Sequence, residues 1–211
     1  MMLTNSLSKG QIAFLAVVIL IVLIAIFLII YIPSRAKFKA KQFKYNFYKK
    51  IYQIAFDEDF YLINDFVFSL DNNQKAKVDH ILFGNKYIYL ISDYYYEGSL
   101  SGNDEEQELY LDSFKGERFI TDNPIKESQK LAKRISFTTG VSIDYIVGIV
   151  LVNDECELDI RQTYKTHYII QRKDLKALIK SIESRNVNNF VANQLQETVN
   201  YFDKINEKTR Q

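Results

Sequence analysis

From Ile12 to Ile32 the chain is apolar without interruption, 21 residues with no charge, no glycine and no proline. As a helix such a run spans about 31 Å, the thickness of a bilayer's hydrocarbon core, and it predicts one transmembrane helix. A cleaved signal peptide would carry a shorter apolar region, positive charge ahead of it and small residues behind it, whereas Tyr31-Ile-Pro-Ser-Arg follows here. Residues 1–11 then form a short polar tail, 12–32 the transmembrane helix and 33–43 a basic juxtamembrane segment.

Beyond it the periodicity changes. Phe43, Phe47, Ile51 and Ile54 fall at helical spacing and predict a helix with one apolar stripe. Phe60 to Ser69 reads as a strand, with Asp71-Asn-Asn as the turn that follows. Val78, Ile81, Leu82 and Phe83 form one short apolar run and Tyr87 to Ile91 a second; Gly84-Asn85-Lys86 between them predicts an antiparallel hairpin at the centre of a sheet. Residues 98–106 read as a polar connection, and Leu109 to Phe114 as a short strand. Asn123-Pro124 is a helix-start signature, Ile125, Leu131, Ala132 and Ile135 its buried stripe and Gly140 its end. The continuous apolar runs Tyr145 to Val152 and Thr166 to Ile170 suit interior strands. Two helices follow, marked by Leu175, Leu178, Ile179 and Ile182 and by Phe190, Val191, Leu195, Val199 and Phe202. The order predicts an α/β domain over 44–172 with a mixed central sheet flanked by helices, then C-terminal helices over 173–211.

Charge orients this plan. The formal net charge is +1, yet eight of the 27 basic residues and none of the 26 acids precede residue 51, so the body carries about −7. Arg35, Lys37, Lys39, Lys41, Lys44, Lys49 and Lys50 follow the apolar run and Lys9 alone precedes it, which puts the N-terminus outside and the C-terminal domain in the cytoplasm. The expected location is the cell membrane. The expected partners are the bilayer and, through Arg35, Lys37, Lys39, Lys41 and Lys44, anionic lipid headgroups; the same segment could instead serve as a nucleic-acid arm, and the C-terminal helices could pair with a second protein. An acidic body argues against non-specific nucleic-acid binding elsewhere.

Most catalytic patterns are missing. One cysteine excludes an intrachain disulfide, and one cysteine with two histidines does not make a structural zinc site. Cys156 lies between Glu155 and Glu157, which disfavours its thiolate, and seven glycines supply no phosphate-cradling loop. Asp104, Glu105, Glu106 and Glu108 read as a solvated loop, and His80 as a structural strand residue. Asp79 stands out, since an acid among apolar strand neighbours needs a hydrogen-bonding partner or a metal.

Phe60-Tyr-Leu-Ile-Asn-Asp, Val78-Asp-His-Ile-Leu, Gly84, Ile88-Tyr-Leu-Ile, Gly98-Ser-Leu-Ser-Gly and Asn123-Pro, in this order and spacing, resemble the nuclease-related domain, NERD, over about residues 44–153. That domain is similar to the PD-(D/E)xK nucleases, so the resemblance implies a restriction-endonuclease-like sheet. In such nucleases an acid on one hairpin strand and Glu-x-Lys on the next converge on one face, hold Mg²⁺ or Mn²⁺ and stabilise the charge developing on a phosphodiester. Asp79 matches the first acid. The Glu-x-Lys positions read Ser92-Asp93-Tyr94, and Asp93, one residue out of phase, faces the other side of a regular strand. The helix before the sheet has no acid over 35–56, and Glu127 stands at the glutamine of the family's Asn-Pro-x-x-Gln. The expectation is therefore a membrane-anchored NERD domain without cleavage, acting as a binding or assembly module and needing no cofactor. The alternative is a membrane-tethered nuclease with a migrated site, in which a bulge brings Asp93 beside Asp79 as a second ligand for Mg²⁺ or Mn²⁺ and Lys86 or Lys115 supplies the cation.

Overall fold

The structure, a computed structural model, describes the backbone of residues 9–69 and 74–210, and the side chains in that range other than those of 9, 11–16 and 28–41. The polar tail before Lys9, the Asp71-Asn-Asn turn and the side chains of Arg35, Lys37, Lys39 and Lys41 lie outside the described residues. The chain divides into two units, residues 1–45 and 46–211.

Helix α1 runs from Lys9 to Asp57. In the first unit its described residues 17–27 are all exposed, and all are apolar. Among the described residues no helix is long and apolar enough to cross a membrane, and much of the 12–32 run, residues 12–16 and 28–32, has side chains outside them. In the second unit the last turns of α1 bury Phe47, Ile51, Ile54 and Ala55.

The second unit holds two mixed sheets. In the first, β1 (Tyr61–Ser69), β2 (Lys75–Phe83) and β3 (Ile88–Tyr94) run antiparallel, and β7 (Ile146–Val152) and β9 (His167–Gln171) continue parallel to β3, in the order β1-β2-β3-β7-β9. The second sheet is built from β4 (Gly98–Asn103), β5 (Glu108–Ser113), β6 (Arg118–Asp122) and β8 (Glu157–Arg161), in the order β6-β5-β4-β8, with β4 and β8 parallel. One central sheet was expected; the polar stretch 98–106 in fact opens with a strand, and 118–122 and 157–161 add two more. β6 and β8 pair through their backbones, while their side chains stay largely exposed, so no apolar alternation marks them.

The two sheets are linked by their parallel pairs. β3 and β7 are neighbours, and after short bends at 95–97 and 153–156 their continuations β4 and β8 are neighbours again. Asn153 ties the bends together: its side chain accepts from Tyr96 N at 2.9 Å and donates to Tyr96 O at 3.0 Å. Gly98 opens β4 where the backbone of β5 comes so close that a Cβ would lie 2.1 Å from Asp112 O, so no side chain fits.

Helices α2 (Pro124–Thr139), α3 (Leu175–Glu183) and α4 (Ala192–Arg210) flank the sheets. Leu131, Ala132 and Ile135 of α2 and Val199 and Phe202 of α4 share one core cluster with Ile81, Phe83, Ile88 and Leu90 of the hairpin. A second cluster joins Ile125 to Val150, Val152, Leu100, Leu109 and Cys156. α3 lies beside the end of α1, with Lys176 Nζ 2.6 Å from Asp57 Oδ2. α4 is fastened to β1 by Asn206 Oδ1, which accepts from Val67 N at 2.9 Å.

Candidate functional site

The hairpin register decides which side chains share a face. His80 pairs with Ile91 and Ile81 with Leu90, so Asp79, Ser92 and Tyr94 stand on the face that carries Leu90 and packs on α2, while His80 and Asp93 stand on the other. The β3–β7 ladder runs in step from Ile88↔Ile146 to Tyr94↔Val152, so Asp93 keeps its regular orientation.

Asp79 is held by its neighbours. Its Oδ2 accepts from Asp93 N at 3.0 Å, and Lys77 Nζ lies 3.8 Å from its Oδ1. Lys77 also contacts Asp65 Oδ1 at 2.5 Å, and that hydrogen bond, with the charges of Asp65 and Asp79, raises the Lys77 pKa. Asp65 itself has φ 53°, a left-handed conformation in the middle of β1 opposite Asp79.

Asp93 lies among different company. Its carboxylate Oδ2 is 2.9 Å from His80 Nε2, and His80 Nδ1 is 2.6 Å from Asn64 Oδ1, with both members of the His80–Asp93 pair more than nine-tenths buried. Asp79 and Asp93 thus touch through a backbone N–H and present their carboxylates to opposite faces. Lys86 donates to Arg185 O at 2.7 Å at the turn between β2 and β3, remote from Tyr94 at the far end of β3, and Lys115 sits in the exposed turn between β5 and β6. Among the described residues no three His, Cys, Asp or Glu side chains are grouped to hold a metal ion.

Tyr94 occupies the position of the motif lysine, and its hydroxyl donates to Glu127 Oε2 at 2.9 Å. Burial, then Glu127 and more weakly Asp79, raise the Tyr94 pKa well above that of a free phenol, so it remains a neutral donor. Its ring stacks on Tyr96 with centroids 6.0 Å apart and 9° between planes, and burial pushes Tyr96 up to about 12. The two rings line a crevice of about 630 Å³ together with Lys126, Glu127, Lys130 and Arg134 of α2. Lys126 donates to Tyr164 Oη at 3.1 Å and lies 5.2 Å from its ring centre, and it lowers the Tyr164 pKa.

The start of α2 is fixed locally. Asn123 caps the helix by accepting from Ile125 N at 3.0 Å, with Pro124 in the first turn. Its Nδ2 reaches the β4–β5 turn, donating to Glu106 O at 2.8 Å and Asp104 O at 3.2 Å. Asp104 itself is fully buried, which corrects the expectation of a solvated loop at this residue. It accepts from Thr163 N and Thr163 Oγ1, each at 2.7 Å, and from Tyr164 N at 3.0 Å. Burial alone would raise its pKa; the donors of Tyr164 and Thr163 outweigh burial and hold it below the usual carboxylate range. Sequence reasoning missed Asp104 and Asn153 as the anchors of the site's frame, because both act on residues about 60 positions away.

Cys156 is buried behind this face, and burial, with Glu157 nearby, pushes its thiol up to about 11. It is a packing residue and no nucleophile.

A mixed-sheet α/β domain, with an acid on the first strand of the β2–β3 hairpin and an Asn-Pro-capped helix packed beside β3 and β7, is the class that fold and site together define. The chain belongs to the NERD, nuclease-related domain, family, whose model matches residues 39–153, more than half of the 211. No curated protein matches the chain. A solved structure titled a protein of unknown function, AF1548, is similar over 78% of this chain and 96% of that one, at 7% identity and a TM-score of 0.32.

Proposed function

We propose that this chain is a single-pass, membrane-anchored NERD protein whose cytoplasmic domain has a restriction-endonuclease-like sheet and works as a binding or assembly module without cleaving phosphodiesters. The observation that carries the reading is Tyr94, which fills the lysine position and donates its hydroxyl to Glu127. A neutral phenol supplies no positive charge to a developing oxyanion, and Glu127 is drawn into that hydrogen bond. Ser92 offers a hydroxyl where the motif has its second acid. Mg²⁺ asks for near-octahedral oxygen ligation anchored by carboxylates, and Asp79, already bonded to Asp93 N, does not fit that demand with Ser92 and Tyr94 as neighbours.

Anchoring rests on the 21-residue apolar run and on the exposed apolar side chains of residues 17–27, which water solvates poorly and lipid tails cover. Arg35, Lys37, Lys39, Lys41 and Lys44 follow on the side that anionic headgroups would hold in the cytoplasm.

The test is the full chain in neutral detergent, assayed on single- and double-stranded DNA and RNA with Mg²⁺ or Mn²⁺, beside Asp79→Asn. No turnover by either protein is expected. Cleavage by the wild type that Asp79→Asn abolishes would replace this reading with that of a nuclease using a rearranged site.

A further inference from the structure

A second crevice, of about 310 Å³, opens where the loops after β7 and β9 meet the last turns of α1. It shares no lining residue with the Tyr94 crevice. α1 contributes Lys49 and Lys50 with the amides of Asn46 and Gln53, the β7 loop Asp154, and the β9 end Arg172 and Lys173. We propose that this crevice binds a phosphate monoester group.

Charge is the first argument. Four cations line the crevice against one acid, and that acid is already engaged: Asp154 Oδ2 accepts from Arg172 Nε at 3.0 Å and also from its Nη2, and Oδ1 accepts from Lys173 N at 2.7 Å. Arg172 is further held 5.9 Å from the centre of the buried Phe47 ring. Asp154 therefore sets the cationic wall in place and neutralises one charge of it. Among the described residues Lys49, Lys50 and Lys173 form no ion pair, whereas the nearby acids at the end of α1, Asp57 and Glu58, are taken by Lys176 and Lys180. Cations converging on a concave wall repel one another and raise the local potential, a cost that a bound anion removes.

The remaining charge selects the anion. A carboxylate brings one negative charge; a phosphate monoester brings about −1.5 to −2 with three acceptor oxygens, and so suits three free ammonium groups and two amides better. Placement agrees, since β7 and β9 are parallel neighbours and open α/β sheets bind ligands beyond the carboxyl ends of such strands. The monoester can belong to a soluble metabolite or to a lipid headgroup such as that of phosphatidic acid.

The experiment footprints lysines of the full chain by acylation and mass spectrometry, with Lys204 and Lys208 of α4 as internal references. One arm adds inorganic phosphate to the protein in uncharged detergent; the other compares phosphatidylcholine vesicles with and without phosphatidic acid. Slower acylation of Lys49, Lys50 and Lys173 relative to the references is expected. K49Q/K50Q/K173Q lacks those reporters, so its affinity is read by calorimetric titration with inorganic phosphate or a short-chain phosphatidic acid in uncharged detergent. It is expected to be at least about tenfold weaker than that of the wild type once three charge-assisted contacts are gone. Protection by inorganic phosphate identifies a soluble ligand, and protection by phosphatidic acid alone a headgroup. Uniform acylation in both arms, or a folded triple variant that binds like the wild type, overturns the proposal; if the variant does not fold, the wild-type footprint decides.

Discussion

At the scale of single residues, His167 shows how burial becomes a pH dependence. It lies on β9 against α2, 7% exposed, and burial, reinforced by Lys133, lowers its pKa from 6.5 to about 4. The unfolded chain takes up a proton near pH 6.5 that the folded chain refuses until about pH 4, so this stabilisation is complete above 6.5 and is lost as pH falls through that window. The full loss is at most about 3 kcal/mol. Urea unfolding of the wild type and of His167→Gln at pH 7 and pH 4.5 measures it: the variant is expected to lose less stability between the two pH values than the wild type. An equal loss in both would place the acid sensitivity elsewhere.

At the scale of elements, the bend between the two sheets and the start of α2 carry the geometry of the Tyr94 crevice, and two substitutions separate them. Gly98→Ala sets a Cβ 2.1 Å from Asp112 O, a contact with backbone that no rotamer relieves, so β4 and β5 must part. A loss of about 2–4 kcal/mol by chemical denaturation is expected. Asn123→Ala removes a cap and strands the carbonyls of Glu106 and Asp104, for a loss of about 1–3 kcal/mol. Because Glu127 lies one turn from that cap, the same variant should also loosen the Tyr94 phenol, read as a change in near-ultraviolet circular dichroism. The ends of α2 were legible in Asn123, Pro124 and Gly140 because capping is a local matter, and Gly140 does take up φ 74°. β3 and β7 were legible as apolar runs because both faces of each are buried along most of their length. β6 was not, since Arg118-Phe-Ile-Thr-Asp lies exposed at a sheet edge and is a strand through its pairing with β5 alone. For the candidate site, the motif spacing pointed to Asp79, Ser92 and Tyr94. It could not show that Tyr94 meets Glu127, 33 residues on, because that meeting depends on how α2 docks.

At the scale of the whole molecule, the apolar part of α1 decides where the protein resides if lipid covers it. Residues 17–27 expose Ile19, Leu20, Ile21, Leu23 and Phe27 with half or more of their surface open, in the middle of an apolar run of 21 residues. If lipid covers this segment, charge at its centre opposes insertion by about 2.5–3.5 kcal/mol per residue. Two such charges, Leu20→Lys and Ile24→Lys, together shift a membrane partition by about four-thousandfold to a hundred-thousandfold, since each 1.4 kcal/mol is a factor of about ten. The full wild-type chain is expected to stay with membranes through an alkaline carbonate wash and the double variant to be released, with both retaining the same circular dichroism of the second unit. Release of the wild type by carbonate would mean that the exposed stripe is covered by protein. The anchor would then fall while the reading of the Tyr94 crevice stood, because every residue of that crevice belongs to the unit that begins at Asn46.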